Sequence, residues 1–168
     1  LLDEGKFEVV ALSAPAVIEN ARKSGRFSDA SVAGLYCSKA LIQLERYDEA
    51  ERVLVEALAD AEKGKTDKEL LASLYFTQAH LFRVKKDFRS ASSRSRDALA
   101  LAPQNHKVEM EYYITNGRIL YSSGYDISAI VWLEKAEAIS NTVPKSALHL
   151  EMLRFLSLAW QSKLYYGK

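Results

Sequence analysis

Pairs of alanines recur three times in this chain at a nearly constant interval, and that recurrence constrains the fold more than any other feature of the sequence. Ala50 and Ala57, Ala91 and Ala98, and Ala129 and Ala136 are each seven residues apart. The step from Ala50 to Ala91 is 41 residues and the step from Ala91 to Ala129 is 38; the second alanines repeat both. A short turn with an aromatic precedes each pair: Arg46-Tyr47-Asp48-Glu49, Lys86-Asp87-Phe88-Arg89 and Gly124-Tyr125-Asp126-Ile127. Further upstream, Ser31 to Leu44, Ala72 to Lys85 and Met110 to Ser123 carry a small residue (Ser38, Ala79, Gly117) and, three positions later, a large one (Leu41, Phe82, Leu120). Small residues let two helices approach closely and large ones fill the space beside them, so each unit reads as helix, turn, helix. Val53, Leu54, Ala57 and Leu58 form an apolar stripe at helical spacing. Asp48, Asp87 and Asp126 are placed to cap second helices. Pro103 and Pro144 stand just past two of them, where proline prevents continuation.

Composition narrows the rest. The 168 residues are 48% apolar and 27% charged, a globular balance rather than that of a disordered segment. Twenty-three basic and 22 acidic side chains leave a net charge of +1, with no overall field to attract nucleic acid or anionic lipid. Seven glycines and three prolines are too few for the turns of an all-β protein. Cys37 is the only cysteine, so neither an intrachain disulfide nor a cysteine zinc site is available. The stretch from Val9 to Ile18 is too short for a membrane span of ~20 residues and lacks the features of a signal peptide.

The small-x2-large element, the alanine pairs and Pro103 resemble the tetratricopeptide repeat family. The units here exceed the family's 34 residues by four to seven. Gly34, Tyr75 and Tyr113 stand at the family tryptophan, and Cys37, Gln78 and Asn116 at the leucine before the small residue. The resemblance implies an all-α fold: a right-handed superhelical solenoid of antiparallel helix pairs, about three repeats with half-repeats at both ends. It implies one repeat domain over 1–168, with units 31–66, 72–105 and 110–144 flanked by partial units 5–30 and 147–168. Pro15 is expected to kink or interrupt the first helix. In the last helix, Leu156, Ser157 and Trp160 take the small-then-large places. The chain opens on Leu1, not Met, and reads as a segment of a larger protein.

No catalytic constellation emerges. Gly64-Lys65-Thr66 copies the tail of a phosphate-binding loop, but Ala59 occupies the place of its first glycine and the context is helical rather than strand to helix. These residues are expected to form a helix stop at Gly64 and a cap at Thr66. His80, His106 and His149 have no ligand partner at metal spacing. Cys37 occupies a core position and is expected to be a small buried side chain. The expectation is a chain that is not an enzyme, with no catalytic residue, metal or cofactor.

The surface remains. The resemblance implies that the first helices line a concave groove, across which equivalent residues form ladders: Lys39, His80 and Arg118; Leu35, Phe76 and Ile114; Ile42, Arg83 and Tyr121. Tyr36, Gln43 and Arg154 lie nearby. Cations interleaved with aromatic and aliphatic groups suit a protein or peptide partner that is acidic with apolar anchors. Val32, Tyr36, Thr77, Glu111 and Thr115 occupy the positions where a carboxylate-clamp variety would carry Lys and Asn, so that clamp is not expected. The expected function is a non-catalytic protein-interaction scaffold; the alternative is a sensor module controlling an attached effector. Trp160, Leu164, Tyr165 and Tyr166, on a last helix without its partner, are expected to mediate self-association. Neither nucleic acid nor membrane is an expected partner, and the expected location is cytoplasmic, the nucleus being the alternative.

Overall fold

The recurring alanines are the seams along which the helices pack. In a computed structural model that describes residues 4–166, with only the backbone described at 4, 5 and 166, all six are at most 1% exposed. The described residues form eight α-helices and no strand: α1 (Glu4–Lys23), α2 (Phe27–Gln43), α3 (Tyr47–Gly64), α4 (Lys68–Val84), α5 (Phe88–Leu101), α6 (His106–Ser122), α7 (Asp126–Ile139) and α8 (Ala147–Tyr166). A 3-10 turn, Ser140–Thr142, follows α7 ahead of Pro144. The chain divides within α4 into two compact units, Leu1–Leu81 and Phe82–Lys168.

One turn recurs five times: α3 ends with left-handed Lys65 (φ 48°) and Thr66 N–H donating to the Ala61 carbonyl at 3.1 Å, and four other turns share its pattern. Arg26 N–H donates to the Ala21 carbonyl, Arg46 to Leu41, Asp87 to Phe82 and Tyr125 to Leu120, each at 2.9 Å. The residue before each donor is left-handed: Gly25 (φ 69°), Glu45 (59°), Lys86 (63°) and Gly124 (81°). This is the Schellman ending, in which the N–H two places beyond the helix returns to a carbonyl of its last turn. The large landmark residues Leu41, Phe82 and Leu120 are thus the carbonyl acceptors that close three of these helices. Gly25-Arg26-Phe27, followed by fully buried Ala30, is a fourth copy of the motif. It starts α2 at Phe27, so the division expected between residues 30 and 31 falls inside a helix.

Glu45 and Lys86 hold a conformation that costs a non-glycine residue ~1–2 kcal/mol. Glycine removes that strain but loses ~0.5–1 kcal/mol in backbone entropy. Glu45→Gly and Lys86→Gly should therefore each stabilise the fold by about 0.5–1 kcal/mol, seen as a higher urea midpoint. Gly25→Ala and Gly124→Ala should lower it.

The caps differ from those expected. Asp87 accepts from Ser90 N–H at 3.1 Å. The Ser90 side chain first, and then this backbone bond, hold its carboxyl below the ordinary range. Asp48 and Asp126 are not caps: Arg46 and Tyr125 occupy those positions without a side-chain bond. Asp126 instead accepts from Ser162 and ties α7 to α8. Asn105 caps α6 by accepting from Lys107 and Val108 N–H. Helix α3 does stop at Gly64, where a Cβ would come 2.6 Å from the backbone nitrogen of Ser28. The cap that follows is Asp67, accepting from Leu70 N–H at 2.8 Å, rather than Thr66.

In the first unit α2 packs against both α1 and α3. Helix α1 continues through Pro15, so the proline does not interrupt it. Proline removes one backbone bond, but α1 is held elsewhere. Ala11, Ala14, Ile18 and Ala21 are buried, and Arg22 reaches α3, pairing with Glu56 at 3.0 Å and Asp60 at 2.7 Å. A Cβ on Gly34 would lie 2.7 Å from that of Ala57, so the glycine at the family's tryptophan position lets α2 touch α3.

In the second unit α6 packs against α5, α7 and α8. Met110, Ile114, Ala136, Val143 and Met152 make one core cluster; Ala129, Ile130 and Ala159 make another. Asn116, polar where the family has leucine, is satisfied by Ser95 Oγ at 3.1 Å and the Tyr112 carbonyl at 2.8 Å. Ala159, fully buried, is the close-contact residue of α8; Ser157, expected in that role, is exposed.

Candidate functional site

Helix α2 separates into two faces. Ser31, Leu35, Ser38, Leu41 and Ile42 are buried, whereas Val32, Tyr36, Lys39 and Gln43 are exposed at spacings of four, three and four residues. This spacing puts the exposed four on one line along the helix. Tyr36 is 62% exposed, far more than core packing would leave a tyrosine. Lys39 has no ion-pair partner among the described residues. The line offers an aliphatic group, an aromatic ring, a cation and an amide.

The other expected contacts are redistributed. Phe76 (3% exposed) and Ile114 (1%) are core residues and cannot receive a partner's apolar anchor; Leu35 and Ile42 are buried as well. They occupy helix faces that the repeat uses for its own packing. His80 is half-buried and engaged. Arg83 donates to Ser122 at 2.8 Å.

Arg118 is also buried, at 9% exposure, and its charge is taken up inside the protein. It pairs with Glu151 of α8 and lies 5.0 Å from the centre of the Phe155 ring. Burial pulls its pKa below the usual guanidinium range, against the opposing pull of Glu151 and Glu111. Tyr121 meets the same ring edge to face at 6.1 Å, and the exposed Arg154 sits 5.8 Å from it. Arg118, Tyr121, Glu151 and Phe155 therefore join α6 to α8; Arg154 stays at the surface.

Sequence reasoning overlooked the pairing of Arg22 with buried Asp60, because an aspartate in the charged α3 reads as a solvated residue. It also overlooked the aromatic group of Tyr112, Tyr113 and Trp132, with ring centres 5.6–5.8 Å apart. The interval between Tyr113 and Trp132 on successive helices was its only available signal.

A shallow cleft of about 180 Å³ lies in the first unit, with Ala11, Pro15, Cys37, Leu41 and Val53 among its lining and Arg46, Glu49, Arg52 and Glu56 around it. It is smaller than the ~300–1,000 Å³ typical of small-molecule sites. Cys37 is 1% exposed and burial raises its pKa, so the unreactive thiol form dominates at neutral pH. Among the described residues, no three His, Cys, Asp or Glu side chains converge in a metal-binding group. No described helix is long and apolar enough to cross a membrane. Comparison with protein-family models, curated proteins and solved structures gives no match.

Proposed function

We propose that this chain is a tetratricopeptide-like helical repeat whose function is to bind another protein, as a non-catalytic scaffold. The observation that carries this reading is the open line Val32, Tyr36, Lys39 and Gln43 on α2, beside a face of the same helix that is fully packed. Large aromatic and apolar groups left in water beside a cation are the usual makings of a protein-binding anchor. The repeat architecture supports the reading, since helix pairs joined by one recurring turn stack into extended binding surfaces. A right-handed solenoid is the arrangement such pairs adopt in the resembled family, and it belongs to this proposal.

The partner segment that fits is acidic with an apolar anchor: a carboxylate for Lys39 and an aliphatic or aromatic side chain against Tyr36 and Val32. Arg118 has no part in this recognition, because its charge is already matched by Glu151. The test is capture of a partner by the immobilised protein, followed by Tyr36→Ala and Lys39→Glu. Both should weaken binding at least tenfold with the helical circular dichroism unchanged. Binding that survives both places the partner site on another face.

A further inference from the structure

Helix α8 presents a second open face, and its pattern is self-complementary. At 100° per residue, Leu150, Leu153, Arg154, Ser157, Trp160, Gln161 and Leu164 fall on one side of the helix. All are exposed, Leu150 to 73% and Leu164 to 76%. The opposite side is consumed by packing: Met152 and Ala159 are buried, Phe155 meets Tyr121 edge to face, and Ser162 bonds Asp126.

The exposed face is arranged about Ser157. Leu150 lies seven residues before it and Leu164 seven after. Leu153 and Trp160 fall on one side of the midline through Ser157; Arg154 and Gln161 fall on the other. A two-fold axis beside Ser157 therefore opposes like with like in an antiparallel pair. Leu150 meets Leu164 of the second copy, Leu153 meets its Trp160, and Arg154 meets its Gln161. Small Ser157 sits at the crossing, where a large side chain would hold the helices apart. Lys163 lies over the Trp160 ring at 4.5 Å and covers one of its faces, leaving the other for a partner.

We propose that the protein forms a two-fold homodimer by antiparallel pairing of α8 about Ser157. A closed dimer needs a patch complementary to itself, and this face meets that condition. The 20-residue helix is ~30 Å long. One such helix pair lies at the low end of specific interface sizes, which suits a Kd in the micromolar range. Of the residues expected to drive association, Trp160 and Leu164 lie in the pairing face and Tyr165 at its edge; the Tyr166 side chain lies outside the described residues. The dimer is independent of the partner-binding reading, because it uses no residue of the α2 line.

Sedimentation equilibrium across a concentration series should show a monomer–dimer equilibrium that does not progress further. Trp160→Glu and Leu153→Glu should each weaken it at least tenfold with helicity unchanged. Under mild oxidation, Ser157→Cys should cross-link the protein into covalent dimers, because the axis brings the introduced thiols together; Cys37 is buried and should not contribute. A strict monomer at high concentration overturns the proposal. So does dimerisation unaffected by folded Trp160→Glu, absence of the Ser157→Cys cross-link, or growth beyond two copies, which would indicate head-to-tail contact involving exposed α1 residues such as Leu12.

Discussion

Leu133→Ala should destabilise the protein by about 3 kcal/mol in urea unfolding, and the reason lies in one glycine. Leu133 is fully buried on α7 and fills the space left by Gly117 on α6. A Cβ added to Gly117 would stand 2.6 Å from Leu133 Cγ and 2.9 Å from one of its methyl groups. Truncating Leu133 leaves a void beside a residue with no side chain to fill it. Gly117→Ala should also destabilise, by about 1–2 kcal/mol, even though alanine favours a helix by ~1 kcal/mol over glycine. The double variant should be more stable than the sum of the two losses predicts by about 1 kcal/mol, because the new methyl then occupies part of the new void. Strict additivity would show that α6 and α7 do not meet through this pair.

The second large effect is expected at Glu151. It is the carboxylate that matches buried Arg118, whose Nε has no partner of its own among the described residues. Removing one member of a buried pair typically costs ~3–5 kcal/mol. The Glu151 side chain keeps 33% of its exposure, so water takes over part of its role. Glu151→Ala should therefore cost about 2–3 kcal/mol. Adding Arg118→Met should restore much of that loss, since the unmatched charge is gone and its space is refilled. A double variant as unstable as Glu151→Ala alone would show that packing, rather than charge, governs this contact.

Sequence and structure agree where one residue type has one physical use. An alanine recurring at a fixed interval marks a seam because only a small side chain fits where two helices touch, and all six alanines are buried. The turn copy at Gly25-Arg26-Phe27 was equally legible, but it comes 20 residues before the next one rather than about 40, so it escaped a search at the longer interval. The groove was harder to read because equivalence along the sequence does not fix exposure. Lys39 and Arg118 occupy equivalent positions, yet Lys39 stays in water while Glu151 and Phe155 of α8 enclose Arg118. The α8 register slipped by two residues because Ser157 and Ala159 are both small. Packing against Ala129 and Ile130 selects Ala159.

Selection of peptides from a displayed random library against the purified chain, with affinities then measured for the α2 variants, tests the binding account most directly. The account predicts enrichment of peptides with a carboxylate near an aliphatic or aromatic residue. These should bind with micromolar affinity, weaken as salt rises, and lose at least tenfold on Tyr36→Ala or Lys39→Glu. No enrichment, or enriched peptides whose affinity neither substitution changes, would contradict it.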